Sequence, residues 1–148
     1  IPHAQVHPIL ATRPEAAEEY ERELEGNLGW REKGHDRLDF VVLGMGDDAH
    51  TASLFPHSPA LASGDRLATF NEGDTVVPPK RVTMTYRLLN ASRFLALMVT
   101  GSGKRETINK VSAAHQNGFD VAEFPVLGLD PVGGTLRWYL DRTACPEV

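Results

Sequence analysis

Cysteine is nearly missing from this sequence, since Cys145 is the only one among 148 residues. The composition therefore excludes an intramolecular disulfide and a metal cluster built from cysteines, and it favours a reducing, cytoplasmic compartment. Long apolar runs are missing too, because no stretch approaches the roughly 18 residues that mark a membrane helix. No signal-peptide pattern stands at the start of the chain, whose first residue is Ile1.

An excess of positive charge is also missing. Fifteen Lys and Arg stand against 20 Asp and Glu, which gives a net charge of −5. Nucleic-acid-binding proteins usually carry a basic face, so we expect no nucleic-acid partner. Net charge does not describe local placement, however, and a few basic side chains can still surround a small anion. The remaining composition is typical of one globular domain, which we expect to span residues 1–148.

Predicted strands and helices alternate along the chain. A capping box at Thr12–Glu15 predicts a helix after it, and a second helix is expected over Ser102–His115. The predicted strands are Val6–Leu10, Leu38–Leu43, Arg66–Phe70, Val82–Tyr86, Phe94–Val99 and Thr135–Leu140. Such alternation indicates an α/β fold with a mostly parallel sheet and helices on both faces. Ligands of such sheets bind beyond the carboxyl ends of the strands.

The turn after Leu43 combines glycines with a histidine. Gly44 and Gly46 allow close approach of the backbone to a ligand, and Asp48 stands near enough to His50 to orient its ring. We expect a short helix to begin over His50–Leu54, whose positive end would disfavour imidazolium at His50 and so favour a general base. The alternative is that the glycines only form a tight turn and His50 only caps the helix.

Two further patterns are typical of ligand sites but lack the residues that would complete such a site. Gly44–Ala49 fits a dinucleotide fingerprint, but no helix, second strand and acidic residue follow at the required distance, and two carboxylates would face the pyrophosphate. His3 and His7 have the i, i+4 spacing of a metal pair, yet no cysteine or carboxylate joins them nearby. We therefore expect no nucleotide cofactor and no metal.

Residues 44–56 resemble the signature of the 6-phosphogluconolactonase family, GMGxDGHTASLFP, at twelve of thirteen positions when the variable one is counted. Residues 78–85 resemble the family's PPxRVTLT stretch and residues 99–104 its VTGxxK turn. Residues 131–142 are similar to its closing segment. The resemblance extends from about residue 4 to residue 142, with all four segments in the family's order.

This resemblance implies a Rossmann-like fold of the glucosamine-6-phosphate deaminase and ribose-5-phosphate isomerase type. It implies hydrolysis of 6-phospho-D-glucono-1,5-lactone to 6-phosphogluconate in the oxidative pentose phosphate pathway, with no cofactor. His50 aligns with the family's catalytic histidine, and Arg81 and Lys104 align with basic residues near the substrate. Without the resemblance, Lys104 would be interpreted as a solvated surface lysine and Arg81 as an edge-strand charge.

The predicted chemistry assigns one role to each group. His50, helped by Asp48, takes a proton from water, and backbone N–H groups of the Gly44–Gly46 turn hold the oxyanion that develops on the lactone. Lys104 binds the phosphate as a mobile point charge. A serine acyl-enzyme is not expected, because the G-x-S-x-G elbow is missing.

Two departures from the family pattern bear on this prediction. Ala49 replaces a glycine beside the histidine, which costs about 1 kcal/mol or more if that position has a positive φ. The family's upstream Gly-Gly-Ser-Thr phosphate turn and acidic-Arg motif are missing, as is roughly the first 40% of a typical member. We therefore expect a domain that is incomplete at its N-terminus, with an incomplete site.

Two other functions stay open. An amino-sugar-phosphate isomerase or deaminase would have the same fold, but it carries an F-N-E-P-like stretch where this chain has Ser53–Pro56. A non-catalytic sugar-phosphate sensor would bind without turnover, and such sensors often carry an effector domain.

Overall fold

The structure, a computed structural model, describes residues 1–29, 37–73 and 76–146. Its helices are α1 (Ala16–Leu28), α2 (Tyr86–Ala91) and α3 (Arg105–Asn117), and its strands are β1 (Val41–Leu43), β2 (Ala68–Glu72), β3 (Lys80–Met84), β4 (Phe94–Val99) and β5 (Thr135–Leu140). Short 3₁₀ turns occupy His3–Gln5, Pro59–Ala62, Ser102–Lys104 and Pro125–Gly128. Among the described residues, no helix is both long enough and apolar enough to cross a bilayer.

Three parallel strands form the main sheet in the order β1-β4-β5. Val41 pairs with Leu95 at the start of β1, and Phe94 pairs with Thr135 at the start of β5. The predicted strands Phe94–Val99 and Thr135–Leu140 are confirmed at both ends. The first is apolar throughout, and the second alternates Leu136, Trp138 and Leu140 with more exposed residues. The α/β class and the parallel sheet are confirmed as well.

The hydrophobic core lies on one face of this sheet. Alternate residues of β1 and β4 share that face and are buried, namely Val41, Leu43, Leu95, Leu97 and Val99. Ile108 and Val111 of α3, together with Val126 and Leu129, complete the same cluster. On the opposite face, Phe40, Val42, Met98 and Tyr139 are 62%, 57%, 51% and 46% exposed. Helical cover within the described residues therefore lies over one face.

The antiparallel hairpin β2-β3 forms a separate small sheet, with Ala68 opposite Met84 and Glu72 opposite Lys80. Helix α1 packs on it through a second cluster that joins Leu24 and Leu28 to Ala68. These two strands begin two residues away from their predicted starts at Arg66 and Val82. The hairpin matters for function because it supports the turn that follows β1.

Two predictions near the N-terminus are wrong. Val6–Leu10 forms no strand, and Pro8 within it has no N–H to offer a neighbouring strand. The capping box at Thr12–Glu15 does not form either, because α1 begins at Ala16 and the Glu15 side chain makes no capping hydrogen bond. The predicted helix itself is present.

Candidate active site

The turn that leaves β1 is closed by its own backbone. The Gly46 N–H donates to the His50 carbonyl at 2.9 Å, and the Ala49 N–H donates to the Gly46 carbonyl at 3.2 Å. The buried Thr51 hydroxyl donates to the Gly44 carbonyl at 2.9 Å. These bonds fold the chain back on itself and bring His50 beside Gly46.

The predicted helix at His50–Leu54 is wrong. Thr51 and Leu54 instead form an isolated antiparallel bridge, and Ala49 and Ala52 have φ values of 63° and 50°. Left-handed residues at these two positions interrupt a right-handed helix. His50 therefore does not begin a helix of its own, and the dipole argument made for such a helix does not apply.

Asp48 holds the His50 ring directly. His50 Nδ1 lies 2.5 Å from Asp48 Oδ1, and the same oxygen accepts the His50 backbone N–H at 3.2 Å. The edge of the Phe55 ring packs against the imidazole, with 4.9 Å between the centroids. A carboxylate at Nδ1 fixes the tautomer with its proton on that nitrogen, so Nε2 is the nitrogen left to accept a proton.

Gly46 lies against the His50 ring so closely that no side chain fits there. A Cβ at position 46 would lie 2.1 Å from His50 Nδ1 and 2.7 Å from Asp48 Oδ1. A Cβ at Gly44 would have its nearest neighbour, the Met98 carbonyl oxygen, at 3.9 Å. The requirement for glycine in this turn is therefore strict at Gly46 and loose at Gly44.

Gly46 does not present a free N–H for the predicted oxyanion role of the turn. Its N–H already donates to the His50 carbonyl, so it has no hydrogen left for a substrate oxygen in this conformation. Gly46 supports the site through space for the histidine ring instead. Both glycines still line the groove described below.

Lys104 reaches the same turn from the end of β4. Gly101, with φ of 95°, starts the 3₁₀ turn that carries Lys104 into α3. Lys104 Nζ lies 2.5 Å from Asp47 Oδ1, and the Thr107 hydroxyl donates to the Asp47 carbonyl at 2.8 Å. The predicted position of Lys104 at the start of a helix is confirmed.

An open groove of about 460 Å³ lies at the carboxyl end of β1. Its lining residues are Val42, Leu43, Gly44, Met45, Gly46, His50, Ala52 and Lys104. It therefore brings together four of the six residues that the sequence predicted for the site, and Asp48 joins them through its contact with His50. This is the place where ligands of parallel sheets bind.

Arg81 does not line this groove. Its Nε donates to the Pro78 carbonyl at 2.7 Å and its Nη2 to the Val77 carbonyl at 3.1 Å. These bonds hold the guanidinium against the chain that leads into β3. The expectation that Arg81 lies beside the bound substrate is therefore not supported by the groove.

Two buried polar residues of the hairpin hold the turn through hydrogen bonds to Ser53, and the sequence did not predict either of them. The Asn71 amide donates to the Ser53 carbonyl at 2.7 Å, and the Ser53 N–H donates to the Thr83 hydroxyl at 3.0 Å. The sequence gives no signal that singles them out, because both strands carry other polar residues as well.

Comparison with known proteins places these features in a family. Residues 1–138 match the family described as Glucosamine-6-phosphate isomerases/6-phosphogluconolactonase. The 6-phosphogluconolactonases of Synechocystis sp. and Nostoc sp. are 39% and 38% identical to this chain, over 97% and 100% of it. The 6-phosphogluconolactonase structure from Thermotoga maritima aligns with a TM-score of 0.74 and 29% identity over 95% of this chain.

The coverage of these relatives is partial. The chain spans 58% and 60% of the two curated proteins and 57% of the Thermotoga maritima chain. The likeness nevertheless confirms the fold type that the four sequence segments implied. Because the family match covers nearly the whole sequence, this chain belongs to the glucosamine-6-phosphate isomerase/6-phosphogluconolactonase family.

Proposed function

We propose that this chain carries the catalytic groove of a 6-phosphogluconolactonase, a carboxylic ester hydrolase that acts on 6-phospho-D-glucono-1,5-lactone. The observation that carries the proposal is the groove itself, whose lining includes both Lys104 and the His50 ring that Asp48 holds. The names of the similar proteins support the same substrate. The single unpaired Cys145 supports a cytoplasmic location.

In the proposed mechanism His50 acts as a general base. Asp48 holds Nδ1, and Nε2 takes a proton from a water whose oxygen attacks the lactone carbonyl carbon. The tetrahedral intermediate then collapses, the bond between that carbon and the ring oxygen breaks, and the ring oxygen leaves as a hydroxyl by taking the proton from the imidazolium. Histidine can serve both steps because each is a proton transfer at the same nitrogen.

Lys104 is proposed to bind the phosphate of the substrate. A phosphate monoester carries about −1.5 to −2 charges near neutral pH, and a lysine ammonium attracts it as a mobile point charge. Lys104 is the basic side chain that lines the groove.

Replacement of His50 tests the proposal. We expect His50→Gln to lower kcat for the phosphorylated lactone by about 10²- to 10⁴-fold, since general base catalysis typically contributes that much. The measurement is lactone hydrolysis followed by proton release, with spontaneous hydrolysis subtracted and the thermal midpoint recorded. His7→Gln is the matched control, because His7 pairs with Glu23 away from the groove.

The same assay separates the two other functions. A deaminase or isomerase would convert glucosamine 6-phosphate, and a sensor would bind 6-phosphogluconate without turning over the lactone. A folded wild-type chain that leaves the lactone at its spontaneous rate would contradict the proposal. Equal rates for wild type and His50→Gln would contradict the role of His50.

A further inference from the structure

The phosphate-binding lysine of the proposed function already has an anionic partner. Asp47 Oδ1 lies 2.5 Å from Lys104 Nζ, with 82% of the Asp47 side chain exposed against 26% of the Lys104 side chain. The Thr107 hydroxyl fixes the backbone of Asp47 through its carbonyl oxygen. The anchored backbone therefore holds the exposed Asp47 carboxylate next to the less exposed Lys104 ammonium.

We propose that Asp47 is a specificity-determining residue that competes with the substrate's phosphate for Lys104. In the empty groove its carboxylate neutralises the ammonium, and a phosphate monoester that binds must replace it. The inference rests on the proposed function, because it takes Lys104 as the phosphate ligand. Competition means that removing the Asp47 charge strengthens phosphate binding, whereas removing a residue that only positioned the lysine would weaken it.

The chemistry of the pair supports competition. An ion pair with a largely exposed partner is typically weak, so an incoming dianion can displace it. Both anions are drawn to the same ammonium hydrogens, and a carboxylate left nearby repels the phosphate. Asp47 also stands at the variable position of the signature in residues 44–56, so the turn itself does not demand a carboxylate there.

The test is Asp47→Asn, which keeps the size of the side chain and removes its charge. We expect inorganic phosphate to bind about two- to fivefold more tightly, as expected for loss of an exposed ion pair, measured by isothermal titration. The KM for the phosphorylated lactone should fall by the same factor with kcat nearly constant. The kinetics of unphosphorylated gluconolactone should not change. A residue that only positioned Lys104 would give weaker phosphate binding.

Two comparisons make the assignment specific. Asp65→Asn removes the same charge from an exposed side chain paired with Arg87, and it should leave phosphate binding as in the wild type. In a Lys104→Ala background, Asp47→Asn should no longer tighten phosphate binding. The inference would be overturned if Asp47→Asn bound phosphate no more tightly than the wild type, or if it tightened binding equally without Lys104. It would also be overturned if the wild-type chain bound no phosphate.

Titration of phosphate also separates this inference from the proposed function, because it needs no turnover. If Asp47→Asn tightens binding through Lys104 and the lactone is not hydrolysed, the proposed activity fails and the competition stands. If the lactone is hydrolysed and Asp47→Asn changes neither Kd nor KM, the competition fails and the activity stands.

Discussion

Gly46 is the residue on which the geometry of His50 depends most directly. A methyl group at position 46 would meet His50 Nδ1 at 2.1 Å, so the ring must turn away from Asp48. We expect Gly46→Ala to lower kcat for the lactone by about 10²-fold or more, as for loss of a general base. Steady-state kinetics and the thermal midpoint of the same preparation measure the effect.

Other glycines provide the comparison. Gly44→Ala should reduce the rate far less, since the added methyl has its nearest neighbour at 3.9 Å. Gly26→Ala lies within α1, where a Cβ meets nothing within 4 Å, and it should leave kcat as it is. Wild-type turnover by Gly46→Ala would show that the tight contact between Gly46 and the ring is not needed for catalysis.

Ala49 is the position at which this chain departs from the family signature. Its φ of 63° lies in the left-handed region, and its side chain is buried against the core. A non-glycine residue there costs about 1–2 kcal/mol in backbone energy, while a buried methyl recovers about 0.8 kcal/mol. The departure from glycine is thus partly offset by packing, and the Val126 N–H still reaches the Ala49 carbonyl at 3.0 Å.

At the scale of elements, Asp141 joins the end of β5 to the turn that carries Lys104. Its carboxylate accepts the Ala144 N–H at 2.7 Å and the Gly101 N–H at 3.1 Å. These hydrogen bonds, together with one from the Thr143 hydroxyl, hold the pKa of Asp141 below its ordinary value. The charged form of this carboxyl is therefore the one that stabilises the native state.

We expect Asp141→Asn to be less stable than the wild type near pH 7 and to approach it as the pH falls. A lowered native pKa contributes stability above the unfolded value, near pH 4, and that contribution is lost as the pH falls through the native value. Urea midpoints between pH 7 and pH 3 measure the gap. Asp65→Asn, at a fully exposed side chain, serves as the control. A gap that stays constant with pH would contradict the assignment.

Periodicity and composition predicted the elements better than their connections. Phe94–Val99 was predictable because an uninterrupted apolar run fits a buried strand, and Thr135–Leu140 because large apolar residues alternate with others in it. The turn at His50 was not, because two alanines adopt left-handed conformations that alanine rarely takes in isolation. The contact between Asp47 and Lys104 spans 57 residues, and local spacing carries no information on such a pair.

In the candidate site, too, the residues were easier to predict than their contacts. His50 and Lys104 were predicted from the resemblance and Asp48 from its spacing to His50. The fold brings His50 and Lys104 to one groove, with Asp48 bonded to the His50 ring. Arg81 was also predicted from the resemblance, but its guanidinium is hydrogen-bonded to the carbonyls before β3. A family resemblance predicts which residue type stands at each position. The direction of a long side chain such as that of Arg81 depends on the carbonyl groups that accept its hydrogen bonds.

At the scale of the whole molecule, the two faces of the parallel sheet differ sharply. Leu97 and Met98 are neighbours in β4, yet Leu97 is fully buried and Met98 is 51% exposed. Phe40, Val42 and Tyr139 extend the exposed side into an apolar surface, of a kind that monomeric proteins usually keep small. The stability of the described fold should therefore depend on one face only.

Paired threonine substitutions in β4 test this asymmetry. Leu97→Thr should lower the free energy of unfolding by about 2–5 kcal/mol, because it removes buried methyl groups and leaves a hydroxyl in the core. Met98→Thr should change it by less than about 1 kcal/mol, since threonine suits a strand and little buried area is lost. Urea denaturation measures both values, and binding of a hydrophobic dye to the native chain should decrease only for Met98→Thr. Comparable destabilisation by the two substitutions would mean that the purified protein buries this second face as well, either by folding over it or by association between chains.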